Sequence, residues 1–187
     1  MDMVKRIVGG LPNHGSVRNV YAVIVFMVYS WTLLTSFYNV PSWMFYLTTG
    51  QILSFYAYAF LINLAESLCL LAGVILFEVT LFRVLKNRAG FQARSILLML
   101  VVFASIAFRL ALFGAYGGEV ETLSSGQELT WWLSTLIPGL LLVVFLSKFR
   151  RVGGLLEAIG ERAIVFLYIY IPLSFLSMMV VVVRNLL

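Results

Sequence analysis

Three ionisable residues stand inside apolar runs of this chain: Glu66 within "INLAES" (62–67), Glu78, and Arg109 within "SIAFRLALF" (105–113). A charged group at the centre of a bilayer costs about 2.5–3.5 kcal/mol on insertion scales and more on others, so it faces protein or water and takes a partner. Glu66 and Arg109 invite pairing. At about 1.5 Å per helical residue, Glu66 stands roughly 24 Å above Phe82 and Arg109 roughly 21 Å above Ser95. The two are therefore at nearly the same height on consecutive helices. Held dry, the pair fixes helix register; reached by water, it becomes with Asn63 the polar centre of a pathway for an anionic or protonatable solute. Glu78, about 6 Å from the inner edge on the same count, is within reach of Arg83 or Arg94.

Helical spacing extends these positions into stripes. Asn63, Glu66, Leu70 and Gly73 fall on one face, where Gly73 would permit close backbone approach. Ser105, Arg109 and Tyr116 share a face of the next helix. Tyr170, Ser174, Ser177 and Arg184 form a stripe on the last one, where Pro172 frees a carbonyl one turn earlier. Ser134, Thr135 and Pro138–Gly139 offer similar features on the helix before it. Serine in a spanning helix is common packing material, so the serines of the last helix read first as helix contacts, with a polar pocket opening outward as the alternative.

Other chemistry is poorly provided for. The chain has one histidine, His14, and one cysteine, Cys69. That excludes an internal disulfide, and it leaves no nitrogen set for haem, zinc or a histidine-rich di-iron centre. No Gly-x-Ser-x-Gly elbow and no phosphate-cradling glycine loop occur. No catalytic residue, metal or cofactor is assigned, and the reading leans away from an enzyme.

The elements that carry these residues follow from composition. Hydrophobic residues make up 62% of the 187 and charged residues 11%, against about 45–50% and 25% in soluble domains. So much apolar surface needs lipid as its solvent. The expected fold is an all-α integral membrane protein, a single domain over 1–187. Five transmembrane helices are expected near 19–38, 58–84, 95–116, 129–146 and 163–183, each close to the 20 residues a bilayer requires. The first follows a polar tail (1–18) and is longer than a signal-peptide core, with no small-residue cleavage site after it, so it reads as retained.

Charge sets the orientation. Lys5, Arg6, Arg18, Arg83, Lys86, Arg88, Arg94, Lys148, Arg150, Arg151 and Arg162 fall on one side, whereas "NVPSWMFYLTTGQ" and "GGEVETLSSGQE" contain no lysine or arginine. This asymmetry puts the N-terminus inside and the C-terminus outside. It also accounts for the net charge of +5 without nucleic acid, whose binding would need a basic stripe on a polar domain.

The long run Gln51–Val84 would make about 51 Å of helix, too much for one span at the usual tilt. Residues 42–57, rich in Trp, Phe and Tyr, are therefore expected as an interfacial outer segment before the second span. A turn near Asn63–Glu66, giving six spans, would destroy the charge asymmetry. Residues 152–162 form a short amphipathic stretch expected along the inner surface, or a plain linker. No internal repeat is present.

"PSW" (41–43) after the first helix resembles the tryptophan-rich sensory protein (translocator) family. The rest of that family's tryptophan- and proline-rich pattern is missing from this chain, and no site or function is carried over.

These features favour a small accessory or assembly subunit of a larger complex in a cell (inner) membrane, with membrane lipids and other membrane subunits as partners. A carrier or channel-like protein with its polar centre at Asn63, Glu66 and Arg109 is the second reading, and a lipid-modifying membrane enzyme is the third.

Overall fold

The computed structural model describes residues 13–82, 90–115, 125–147 and 149–186. Tyr116 lies outside the described residues, as do Arg83, Lys86, Arg88 and Lys148. Among those described the chain is helical throughout, in five helices. They are α1 (His14–Tyr46), α2 (Thr49–Phe77), α3 (Phe91–Ala115), α4 (Ser125–Leu146) and α5 (Arg150–Leu186). α2 runs without a break into a wider π-helical turn, Glu78–Phe82. Four helices, α1, α2, α3 and α5, are long and apolar enough to cross a membrane; α4 contributes a shorter apolar stretch, Leu133–Leu146.

Two sequence expectations change here. Residues 42–57 do not form one segment of their own: 42–46 end α1 and 49–57 begin α2. The chain reverses at Leu47–Thr48, where local hydrogen bonds close both helix ends. The Leu47 N–H donates to the Trp43 carbonyl at 2.7 Å. Thr48 and Gln51 form a reciprocal capping box, with the Thr48 N–H donating to Gln51 Oε1 at 2.8 Å, which satisfies amides that a helix start leaves open. Pro41 lies inside α1 without ending it.

The second change concerns the length of α2; its continuity through Asn63–Glu66 agrees with the rejection of a turn there. α2 passes uninterrupted through Asn63–Glu66, so the turn required by a six-span chain does not form. The residues from Thr49 to Phe82 make roughly 50 Å of helix, longer than a hydrocarbon layer of about 30 Å. Any 20-residue window placed on this helix contains both Asn63 and Glu66. Likewise residues 152–162 and the last apolar run are one 37-residue helix, with Pro172 inside it.

The chain divides into two compact units. One comprises residues 1–87 and 159–187, hence α1, α2 and most of α5; the other comprises residues 88–158. In the first, α1 and α2 form an antiparallel hairpin with α5 packed alongside. Phe26 meets Phe166 (ring centroids 4.5 Å apart) and Tyr29 stacks on Tyr170 at 4.7 Å, so α1 and α5 run in the same direction. Tyr58 and Asn185 exchange hydrogen bonds near the α5 C-terminus. The inward stripe of α2 is Ala57, Phe60, Asn63, Ser67 and Val74.

In the second unit, Gln92 Nε2 donates to the Glu157 carbonyl at 3.3 Å. A Cβ on Gly139 would overlap Val101 Cγ1, whereas one on Gly73 would meet nothing within 4 Å. Close helix approach in this protein therefore occurs at Gly139 and not, as spacing suggested, at Gly73.

Candidate functional site

The polar residues inside the first unit form a ladder between helices, built from tyrosine and serine. Tyr21 on α1 lies 3.3 Å from Ser67 Oγ on α2; Tyr29 on α1 lies 2.5 Å from Ser174 Oγ on α5; Tyr56 on α2 donates to Ser36 Oγ on α1 at 3.0 Å. Each serine gives its single hydrogen to a carbonyl of its own helix. Ser67 donates to Leu64, Ser174 to Tyr170 and Ser36 to Leu33, at 2.8–2.9 Å. A hydroxyl has one donor and two acceptor lone pairs, so in each pair the tyrosine donates across the interface. Tyr29 also approaches the Phe60 carbonyl at 3.3 Å, the longer branch of a shared hydrogen.

The spacing of α1 explains the ladder. Tyr21, Tyr29, Thr32 and Ser36 recur at steps of eight, three and four, which keeps them on one face of a 3.6-residue helix. On α2, Tyr56, Phe60, Asn63 and Ser67 recur at four, three and four. These two stripes face one another across the hairpin. Apart from Asn63, the ladder residues of α1 and α2 were missed by a reading that followed charge; the spacing of hydroxyl-bearing residues was the available signal.

The sequence-chosen residues are scattered by comparison. Asn63 is 4% exposed and accepts at Oδ1 from Thr32 Oγ1 at 3.0 Å, while its buried Nδ2 has no hydrogen-bond partner. Ser174 belongs to the ladder. Ser177 is buried and donates to the Leu173 carbonyl of its own helix at 2.8 Å, and Tyr170 is half-buried and stacked on Tyr29. Glu66 does not share the inward stripe with Asn63: it is exposed, as is Gly73. Within its own unit Glu66 makes no hydrogen bond or ion pair with a described residue. The reason is rotation. The inward stripe lies about 85° from the face that Asn63, Glu66, Leu70 and Gly73 define at 100° per residue.

Glu78 is buried at the first residue of the π-helical turn. Arg109 and Ser105 belong to the second unit and are half-buried. That unit also carries buried polar side chains, Gln92, Arg94 and Ser95, the last fully buried with an unpartnered Oγ.

Chemically, the ladder has almost no free capacity. Its donors are taken up by neighbouring helices or by the serine's own backbone, so it offers little to a solute. Asn63 Nδ2 is the exception. No family model, no curated protein and no solved structure matches this chain.

Proposed function

We propose that this chain is a multi-pass integral membrane protein that serves as an accessory or assembly subunit of a larger membrane complex. The observation that carries this reading is the closed hydrogen-bond inventory of the ladder. Tyr21–Ser67, Tyr29–Ser174 and Tyr56–Ser36 join three helices with their hydroxyl hydrogens taken up within the protein, which suits a packing element rather than a conduit. Charge asymmetry supports a cytoplasmic N-terminus in a cell (inner) membrane. The parallel course of α1 and α5 supports an odd number of crossings, with the C-terminus outside.

The carrier reading, centred on Asn63, Glu66 and Arg109, draws its support from the unpartnered amide of Asn63, a buried donor that an acceptor group of a solute would satisfy. The two readings differ in one experiment. Extracted from its native membrane in a mild detergent, an accessory subunit migrates as a particle containing other chains; a carrier migrates alone or with copies of itself. Migration alone overturns the proposal.

A further inference from the structure

The outward face of α2 carries an ionisable group that its own unit leaves without a partner. Glu66 is exposed on the helix and lies halfway between Thr49 and Phe82. Every placement of a hydrocarbon layer on this helix encloses it. Lipid tails offer a carboxylate nothing, so the group needs a cation brought from elsewhere. The surface around it is shaped for a second helix. Ala65, Cys69 and Gly73 follow at intervals of four, all exposed, with open space above Gly73. Small residues at this interval let two helix backbones approach closely in a membrane. Ile62 and Leu76, both exposed, flank the strip.

We infer that this face of α2 docks a transmembrane helix of a different subunit that presents one arginine or lysine at the depth of Glu66. The inference rests on the accessory-subunit reading and names its partner's chemistry. Charge complementarity chooses the occupant. A second copy related by a two-fold axis would set Glu66 against Glu66, two like charges in a low-dielectric layer. A purely apolar helix would cover the carboxylate without neutralising it.

The test uses the full-length chain in proteoliposomes with a synthetic polyleucine helix that carries one central arginine and a cysteine one turn away. Cys69 is the chain's only cysteine and lies three residues from Glu66, so disulfide trapping under a mild oxidant reports docking. Trapping of the arginine helix is expected to exceed that of an otherwise identical all-leucine helix at least tenfold. Glu66→Gln should bring it down to the all-leucine level. Glu66→Gln removes no intramolecular hydrogen bond of its unit, and an unchanged melting midpoint verifies that the variant folds. Gly73→Leu, which fills open space, should weaken trapping by closing off the approach.

Three results overturn the inference: equal trapping of both helices; Cys69–Cys69 dimers of the chain that vanish with Glu66→Gln; or trapping that rises tenfold in Arg109→Gln, which would make Arg109 of the same chain the occupant. The size of the native particle separates this inference from the reading beneath it. If the wild-type complex is large and Glu66→Gln leaves it intact, the docking face is wrong while the accessory role stands. If the wild-type chain extracts alone, the accessory role itself falls.

Discussion

The Tyr29 hydroxyl lies 2.5 Å from Ser174 Oγ, joining α1 to α5 across 145 residues of sequence. Ser174 has already given its hydrogen to the Tyr170 carbonyl, and the Tyr170 ring stacks on Tyr29. One residue of α1 is thus held by a hydroxyl and a ring of a single α5 segment. Hydrogen bonds between membrane helices average about 0.6 kcal/mol and reach about 1.7. A double-mutant cycle on Tyr29→Phe and Ser174→Ala should therefore give a coupling of roughly 0.6–1.7 kcal/mol in detergent unfolding. Strict additivity would remove this contact from the list of those that hold the helices.

At Gly139 α4 lies close against Val101 of α3. An added Cβ overlaps Val101 Cγ1, and overpacking of this kind costs about 1–3 kcal/mol. Gly139→Ala should lower the melting midpoint, and Val101→Ala in the same chain should restore part of the loss. Gly73→Ala serves as the control, since its surroundings are open; it should leave the midpoint unchanged.

Asn63 divides the two functional readings. Its Nδ2 is buried without a partner, and an unsatisfied buried donor costs about 1–3 kcal/mol. Asn63→Leu removes that donor at similar volume, leaving Thr32 free to bond its own helix carbonyl. The variant should be as stable as the parent or more so, by up to about 1 kcal/mol, with assembly unaffected. A loss above about 2 kcal/mol on thermal unfolding would mean that the amide normally holds a group such as a bound solute.

Orientation is open to direct labelling. With Cys69 replaced by serine, single cysteines at Asn13 and at Leu186 should react with a membrane-impermeant maleimide from opposite faces of the membrane. Reaction from the same face would require an even number of crossings and would contradict the reading of α1 and α5 as parallel spans.

How far the sequence reached can be judged residue by residue. The helical, apolar character of the chain followed from composition, because no alternative burial existed for so many apolar residues. Asn63 and Ser174 were found by looking for polar groups in apolar runs. Glu66 was assigned to an inward face of its helix, whereas it is exposed. Three-residue spacing leaves a 60° uncertainty that only packing resolves, and Ser67, one residue further on, took the inward position. The start of α2 was missed although "TTGQ" contains the capping signature of Thr48 and Gln51; attention to the aromatic content of 42–57 concealed it. The partners of Tyr29 were beyond reach, since nothing local in sequence links residue 29 to residue 174. Gly139 was seen only as half of a Pro–Gly kink, because close approach depends on which side chain faces the glycine.

The accessory-subunit reading is tested most directly by native mass spectrometry of the chain extracted from its own membrane in mild detergent. The expected result is a particle that releases, on activation, the 21.0 kDa chain together with at least one chain of different mass in fixed ratio. A spectrum containing only the 21.0 kDa chain or its multiples would contradict it.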